Sequence, residues 1–213
     1  MNIILNSFTV LLQYIFGITG DWGVSIVVLT MIIKFILSPL SFNQKLSLLK
    51  QQKMGRQIEK LKSEYKYNKE KMKEEIQKCY KDGAKNILGC LITFIQLPVI
   101  WVLYSTVINM PVTSSSMLVP WIASIKMSDS YYIVPLLYSA VSTFPFLINY
   151  VDYFNIYKQV QSNRASILIS VFVGIMITIK APIAIGLYFI TSNIFSFIED
   201  VIFRAYVRNK NLV

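Results

Sequence analysis

The sequence predicts an all-α integral membrane protein with five transmembrane helices, an N-terminal interfacial amphipathic helix and a cytoplasmic helical hairpin. Hydrophobic residues make up 54% of the 213 residues and charged residues only 15%, whereas soluble domains usually carry about 25% charged residues. The mean hydropathy is +0.52, and the apolar residues fall into long runs separated by short polar segments. So much apolar surface exceeds what one small core can bury, so we expect lipid to surround most of the chain.

Residues 1–20 are predicted to form an amphipathic helix in the membrane interface. The apolar run is shorter than the roughly 20 residues that cross the hydrocarbon layer, which favours an interfacial position; a poor secretory signal sequence is the alternative. Polar residues recur there at spacings of four, three and four, on one helix face: Asn2, Asn6, Thr9 and Gln13. Residues 21–43 form the first predicted transmembrane helix, and Pro39 is expected to kink it near its end.

Residues 44–85 are predicted to form a basic helical hairpin in the cytoplasm. The stretch from Lys45 to Lys85 holds 13 of the 21 basic residues and six of the 11 acidic ones. The net charge of +10 would suggest nucleic acid in a soluble protein, but a basic loop beside a membrane favours anionic headgroups instead. Residues 67–69 are the predicted turn. A narrow apolar seam marks each arm: Met54, Ile58, Leu61 and Tyr65 on the first, and Met72, Ile76 and Cys79 on the second.

Residues 86–203 contain the other four predicted transmembrane helices, and residues 204–213 form a short cytoplasmic tail. The predicted spans cover residues 87–108, 131–151, 165–179 and 182–203. Only Lys126 and Lys180 lie on the side opposite the basic hairpin. Because basic loops stay in the cytoplasm, the N-terminus is predicted outside and the C-terminus inside.

Lys34 is the most informative residue of the first predicted span. It lies 12 residues beyond Trp22, about 18 Å along a helix axis. A charge at this depth in lipid costs on the order of 3 kcal/mol. No acidic residue lies inside a predicted span away from its ends, so we expect water to solvate the ammonium in a cationic groove. A tilted helix that lets the side chain snorkel partway to the interface is the alternative.

Other polar residues in the spans are candidates for lining the same groove. Thr30 precedes Lys34 by four residues and therefore shares its helix face. Each of the others is, on its own, typical of hydrogen bonding between membrane helices. Together with Lys34 they indicate a polar cavity; they are Thr93 and Gln96 in the second span, Asn149 at the end of the third, and Thr191, Ser192 and Asn193 in the fifth.

The sequence disfavours an enzyme. It contains no histidine, no intramembrane pair of carboxylates, no G-x-S-x-G motif and no P-loop. A Ser–Lys pair that includes Lys34 stays open, although nothing marks a nucleophile. Cys79 and Cys90 have neither a second cysteine pair nor a histidine beside them. Both are therefore predicted to be unpaired thiols, and we expect no metal site and no cofactor.

The order of these features resembles the YidC/Oxa/Alb family of membrane-protein insertases, in particular a short bacterial YidC paralogue. The first span, the hairpin after it, the second span and the last span all occur in the family's order. The stretches that carry the resemblance are residues 21–23, 25–34 and 39–40, then 86–90 and 94–98, then 181–189 with Ser192 and Asn193. No single one of these motifs is decisive, but their combination is specific.

The resemblance implies a function as a membrane insertase and chaperone for small nascent membrane proteins. It implies a hydrophilic groove open to the cytoplasm and to lipid, closed on the outside, with its positive charge at Lys34. A client's apolar segment would slide along the second and last spans into lipid. The implied slide residues are Pro98, Leu187, Tyr188 and Phe189. The resemblance also implies a multi-pass protein of the bacterial plasma membrane, acting as a monomer, with the Sec translocon and the ribosome as potential partners and no nucleic acid bound by the chain itself.

Several positions depart from the family pattern, which suggests a divergent or secondary paralogue. The family usually has arginine where Lys34 stands, proline where Ile87 stands and an aromatic residue where Ala181 stands. Two other functions stay open on the sequence alone. One is a small solute transporter or channel, which the lack of internal repeats and of intramembrane acids disfavours. The other is an assembly scaffold that binds partners through the hairpin and inserts nothing.

Overall fold

A computed structural model describes residues 2–65, 68–83, 91–109, 114–148, 151, 154 and 164–210, with the backbone alone at 2–5, 80–83, 91–98, 164 and 166. Every regular element in this part of the chain is a helix, so the all-α prediction is confirmed there. The helices are α1 (Asn2–Thr19), α2 (Trp22–Glu64), α3 (Lys69–Gly83), α4 (Leu91–Ile108), α5 (Ile133–Ser142), α6 (Phe144–Leu147), α7 (Arg164–Thr178) and α8 (Ile183–Asn209).

Helix α2 differs from the prediction because it does not end at residue 43. It runs unbroken for 43 residues and includes Pro39. Proline removes one backbone donor, but the residues after it are mostly good helix formers such as lysine, glutamine and leucine. The first arm of the predicted hairpin is therefore a continuation of the first predicted span.

The chain divides into two units at Pro39. One unit comprises Met1–Ser38 together with Leu97–Val213, and the other comprises Pro39–Gln96. The smaller unit contains the rest of α2 and all of α3, with Asn68 accepting a hydrogen bond at 3.3 Å from the Lys71 amide in the first turn of α3. The predicted seam residues of both helices are buried or half-buried, whereas most of their neighbours are exposed. Residue 67 of the predicted turn 67–69 lies outside the described residues.

Two of the described helices, α2 and α8, are long and apolar enough to cross a membrane. Shorter apolar helices occupy Val99–Ile108, Ile133–Leu147 and Ile167–Thr178, within the other three predicted spans. The third predicted span is interrupted at Thr143, which separates α5 from α6. Pro145 has no amide hydrogen, so it cannot donate the backbone hydrogen bond that an uninterrupted helix needs at this position. The Thr143 amide bonds to the Ala140 carbonyl, three residues earlier, at 3.1 Å.

The larger unit has a core of buried apolar side chains drawn from α1, α2, α4, α5, α8 and the segment 114–132. They are Leu12, Ile15, Ile26, Leu29, Leu103, Val107, Val119, Ile125, Val134, Ile183, Ala184, Ile185 and Tyr188. Gly186 allows α8 to approach α5 closely, because a Cβ at that position would collide with the Val134 side chain. Helix α1 packs on the bundle by the face that contributes Leu12 and Ile15 to this core. Thr9 Oγ1 of α1 also lies 3.4 Å from Thr106 Oγ1 on α4.

Helix α7 presents an apolar surface to its surroundings. Six of its apolar side chains are 45–68% exposed: Leu168, Ile169, Phe172, Val173, Met176 and Ile177. Soluble monomers rarely expose so continuous an apolar face, whereas lipid accommodates it without cost. This surface is what a membrane-embedded helix requires.

Candidate functional site

The structure places Lys34 between α2 and α8. Its Nζ donates a hydrogen bond to Ser196 Oγ at 3.1 Å, and the side chain is half-buried. Beside this contact, the rings of Phe35, one residue after Lys34, and Phe195, one residue before Ser196, meet edge to face, with centroids 5.3 Å apart. The ammonium is therefore held at a helix–helix contact by a polar partner that the sequence interpretation did not name.

The face of α8 that contains Ser196 carries a polar stripe. Ser192, Ser196 and Glu199 follow each other at spacings of four and three, which places them on one side of a helix. Ser192 is 4% exposed and Glu199 8% exposed, and Phe203 continues the stripe as a buried aromatic. The helix thus turns a polar middle section inward, between the apolar Tyr188 and Phe203.

Ser196 and Glu199 are the functional candidates that sequence reasoning missed. Glu199 fell near the end of the last predicted span, residues 182–203, and was not considered a groove residue. Helix α8 in fact continues to Asn209, which moves Glu199 well inside the helix. The four-three spacing from Ser192 was the sequence signal that could have found both residues.

The remaining predicted groove residues have mixed positions. Thr30 is 2% exposed, and its hydroxyl donates to the Ile26 carbonyl of its own helix at 2.6 Å, so it offers little to a ligand. Thr191 likewise bonds to the Leu187 carbonyl at 2.8 Å. Asn193 is half-buried on α8. The side chains of Thr93 and Gln96, and the whole of Asn149, lie outside the described residues.

The predicted slide residues are not equally accessible. Tyr188 is only 3% exposed and belongs to the core. Leu187 and Phe189 are half-buried, and the Phe189 ring lies 5.4 Å from the ring of Tyr138 on α5. Pro98 has no described side chain. The exposed apolar residues of α8 are instead Ile194, Ile198 and Ile202.

Below the polar stripe, a buried ion pair joins α8 to the segment after α6. Arg204 is 4% exposed, and its Nε donates to Asp200 Oδ2 at 2.8 Å. Its Nη1 also donates to the Phe154 carbonyl at 3.0 Å. The guanidinium therefore holds residue 154 against the helix, and its charge is balanced one turn away on α8.

At the opposite end of the unit, Asp21 ties the start of α2 to the segment 114–132. Its Oδ1 accepts hydrogen bonds from the Val24 amide and the Ser116 hydroxyl, both at 2.8 Å. Its Oδ2 accepts one from the Met117 amide at 2.5 Å. Burial by itself would raise the pKa of the Asp21 carboxyl, but the hydrogen bonds from the two amides and from Ser116 outweigh it and lower that pKa. Gly23 is required beside it, since a Cβ there would collide with the Ser116 side chain.

The same segment caps the start of α8. The amides of Ile183 and Ala184, which have no partner within their own helix, donate to the carbonyls of Met127 at 2.9 Å and Ile125 at 3.0 Å. The Ile125 amide in turn bonds to the Ser114 carbonyl at 2.8 Å. Segment 114–132 therefore closes this end of the bundle through backbone bonds to α8 and side-chain bonds to α2.

A second buried carboxylate, Asp129, stabilises the start of α5. It is 2% exposed and accepts hydrogen bonds from the Tyr131 amide at 3.0 Å, the Val134 amide at 2.7 Å and Trp121 Nε1 at 3.3 Å. Three donors on one carboxylate order the turn that leads into α5. Two buried aspartates therefore anchor the capping segment, Asp21 at the start of α2 and Asp129 at the start of α5.

Chemically, the arrangement offers a cation and a hydroxyl to a polar or acidic group. Lys34 donates to the Ser196 hydroxyl at the contact between α2 and α8, and the buried Glu199 lies three residues further along α8. Among the described residues, no group of three or more histidine, cysteine or acidic side chains could hold a metal ion. Cys79 has a free thiol, and Cys90 lies outside the described residues.

Comparison with known proteins identifies the family. A family model described as 60Kd inner membrane protein matches residues 14–210. The chain belongs to this family. Membrane protein insertase YidC of Caldanaerobacter subterraneus is 30% identical over 194 residues, which cover 91% of this chain and 90% of that protein. The protein of the same name from Helicobacter pylori is 30% identical over 202 residues, covering 94% of this chain and 36% of its own length.

A third relative of that name, from Aquifex aeolicus, is 36% identical over 139 residues, covering 64% of this chain and 27% of that protein. The chain thus spans almost the whole of the Caldanaerobacter relative and about a third of the Helicobacter one. Membership in this family places the chain among bacterial membrane proteins. It confirms the resemblance to the YidC/Oxa/Alb insertases that the sequence motifs indicated.

Proposed function

We propose that this chain inserts small nascent membrane proteins from the cytoplasm into the lipid bilayer, with Lys34 as the positive charge of its groove. The name shared by the relatives supports an insertase, and the contact between Lys34 and Ser196 carries the mechanism. It puts an ammonium between two long apolar helices, where a charge interacts more strongly than in bulk water. A polar or acidic segment of a client would find there a partner that lipid does not offer.

The closed end of the bundle supports a groove that is entered from one side. The capping segment bonds to α2 through Asp21 and to the first turn of α8 through Ile125 and Met127. With the N-terminus outside and the C-terminus inside, this end faces the exterior, as expected for the family. A client segment would then enter from the cytoplasm, lose part of its hydration beside Lys34, and leave sideways into lipid.

Burial of the client's apolar segment in hydrocarbon drives the process. The groove lowers the cost of moving the client's short polar segment, because polar groups exchange water for the hydroxyls and charge of the protein rather than for bare lipid. Among the slide residues proposed for α8, Leu187 and Phe189 are half-buried and fit a transient contact better than the buried Tyr188. Ile194, Ile198 and Ile202 extend the apolar path on the exposed side of the same helix.

The topology and partners follow from the same proposal. Five spans would place the basic Pro39–Gln96 unit in the cytoplasm, near anionic lipid headgroups and emerging clients. The Sec translocon and the ribosome are partners that such an activity would use, and the chain would act as a monomer without a cofactor. A scaffold that only binds partners would not need the Lys34 site, which is why the experiment addresses that residue.

The deciding experiment measures insertion of a single-span client with an acidic N-terminal tail into vesicles that contain the full chain. Lys34→Ala should lower insertion by about tenfold, which corresponds to roughly 1.4 kcal/mol. Lys180→Ala is the matched control, since Lys180 is an exposed lysine at the capped end, and it should retain full activity. Unchanged insertion by Lys34→Ala would remove the proposed mechanism, and absence of insertion by the unaltered chain would favour the scaffold.

A further inference from the structure

The candidate groove combines a buried acid with the half-buried Lys34. Glu199 is 8% exposed and lies on the α8 face that holds Ser196. Ser196 is in turn the hydroxyl to which the Lys34 ammonium donates at 3.1 Å. A carboxylate inside a helix pair is costly and is rarely kept without a role. Among the acids whose side chains the structure describes, Glu199 and Asp200 lie about one helical turn from Ser196, and Glu199 is the more deeply buried of the two.

The spacing places Glu199 within electrostatic reach of anything bound at Lys34. Residues three apart on a helix have Cβ atoms about 5–6 Å apart. The side chain of Glu199 therefore starts about one turn along α8 from Ser196, whose hydroxyl binds the Lys34 ammonium. At such separations and an effective dielectric constant of about 20, two unit charges interact strongly compared with thermal energy. A client side chain at Lys34 would therefore experience both charges.

We propose that Glu199 is a specificity-determining residue of the groove, which makes it bipolar rather than simply cationic. This inference rests on the proposed insertase function. The carboxylate offsets part of the attraction of Lys34 for an acidic client residue, and it offers a favourable site for a basic one. The clients selected by this chain are thus proteins with a short polar tail of mixed or weakly acidic charge, rather than strongly acidic tails.

Neighbouring charges on α8 do not duplicate this arrangement. Asp200 pairs with Arg204 at 2.8 Å, one residue away around the helix, and that pair also bonds to the Phe154 carbonyl. It forms a structural clamp between α8 and residue 154. Asp200 follows Ser196 by four residues and Glu199 follows it by three, so both lie near the Ser196 side of α8. Glu199 is the buried one of the two.

The test uses three single-span clients that are identical except for one tail residue, which is aspartate, asparagine or lysine. Vesicles with the full chain are compared with vesicles that contain Glu199→Gln, and the measured quantity is the ratio of aspartate-tail to lysine-tail insertion. The neutral substitution should raise this ratio by about three- to tenfold, because a charge difference of this kind is worth at least RT in a partly buried site. The asparagine client measures general activity and should be inserted equally by both.

Two further variants keep the outcome decisive. Glu75→Gln removes a carboxylate from the other unit, and its ratio should equal that of the unaltered chain; an equal rise there would show a mere effect of net charge and overturn the proposal. Glu199→Asp keeps the charge but withdraws it by one methylene. Its ratio of aspartate-tail to lysine-tail insertion should lie between those of the unaltered chain and Glu199→Gln. If the glutamine variant does not fold, Glu199→Asp tests the proposal in its place. An unaltered ratio in folded Glu199 variants would overturn the role of Glu199 alone, whereas failure of the unaltered chain to insert any client would overturn the insertase function itself.

Discussion

The ammonium of Lys34 on α2 is bound to the hydroxyl of Ser196 on α8, 162 positions along the chain, across a distance of 3.1 Å. The contact joins the two described helices that are long and apolar enough to span a membrane. It relieves part of the cost of removing the charge from water, since hydrogen bonds to charged groups are stronger than neutral ones. The functional consequence is a cation held at a fixed place but not removed from reach, because its side chain is only half-buried.

Replacement of Lys34 by arginine should preserve activity. A guanidinium keeps the positive charge and can reach the same hydroxyl, and it adds a forked set of donors for carboxylates. We expect Lys34→Arg to insert the acidic-tail client within about twofold of the unaltered chain, with Lys34→Gln reduced like the alanine variant. Initial rates of insertion in vesicles measure this difference. An inactive arginine variant would show that the site needs a compact ammonium rather than positive charge alone.

Substitution of Gly23 should destabilise the capped end of the bundle. A Cβ at residue 23 collides with the Ser116 side chain and comes within 3.3 Å of Asp21 Oδ1, so the hydrogen bonds between them must shift. We expect Gly23→Ala to cost about 1–3 kcal/mol, as overpacked sites do. Thermal unfolding in detergent measures the loss.

Gly55 provides the matched control for this substitution. It lies in the same helix, and a Cβ there meets nothing within 4 Å. Gly55→Ala should therefore stabilise α2 by about 0.5–1 kcal/mol, the ordinary gain of alanine over glycine in a helix. A similar loss for both alanine variants would contradict the role of the Ser116 contact.

The stability of the capped end should depend on acid through Asp21. Its hydrogen bonds lower the pKa of the carboxyl in the folded protein below the ordinary value of 3.8. Folding therefore stabilises the ionised form of Asp21 relative to the protonated form. This contribution is complete above the unfolded pKa and is lost as the pH falls from about 4 through the lower folded pKa. The melting temperature of the unaltered chain should drop in that range.

Asp21→Asn isolates this contribution from other acids. The amide has no charge to lose, so the variant should be less stable than the unaltered chain at pH 7, and the difference should shrink towards pH 3. Melting temperatures of both proteins at a series of pH values give the comparison. A difference that stays constant with pH would show that the three hydrogen bonds do not depend on the charge of Asp21.

Loss of Arg204 should destabilise the larger unit strongly. Its guanidinium is buried with Asp200 and also bonds to the Phe154 carbonyl, so Arg204→Ala leaves a carboxylate with little solvent and frees residue 154. We expect a cost of about 3–5 kcal/mol, typical of a broken buried pair. Chemical unfolding in detergent is the measurement.

The exposed pair of Lys78 and Glu75, 2.6 Å apart, serves as the reference for Arg204. Solvent and salt screen it, so Lys78→Ala should leave the unfolding midpoint unchanged. If Arg204→Ala also left the unfolding midpoint unchanged, the clamp between α8 and residue 154 would not contribute to stability. If both variants were destabilising, the effect would come from net charge rather than from burial.

The helices could be predicted from the sequence because their signals are local. The apolar runs of α4, α7 and α8, and the apolar seams in the hairpin segment, required only hydropathy and spacing. The end of the first span at residue 43 was predicted from the change in composition there, but α2 continues to Glu64. Composition reports the solvent that surrounds a residue, and it does not report whether the backbone continues as a helix across the boundary.

The site was predicted only in part for a related reason. Lys34 stands out because a charge in an apolar run is costly anywhere, whereas Ser196 looks like any hydroxyl in a membrane helix until a partner is brought to it. Thr30 shares the helix face of Lys34, yet its hydroxyl bonds to its own helix, an outcome that spacing does not reveal. The bonds of Asp21 to segment 114–132 join residues about 95 positions apart.

The sequence by itself determined the apolar character of this protein, its helices, its family and the position of a lysine within an apolar run, because hydropathy, periodicity and charge are properties of consecutive residues. Only the tertiary structure decided which hydroxyl meets Lys34, that Glu199 lies on the same face, and how Asp21 closes one end. Those relationships require α8 and segment 114–132 to be packed beside α2, and packing depends on the shape of whole helices rather than on any stretch of neighbouring residues.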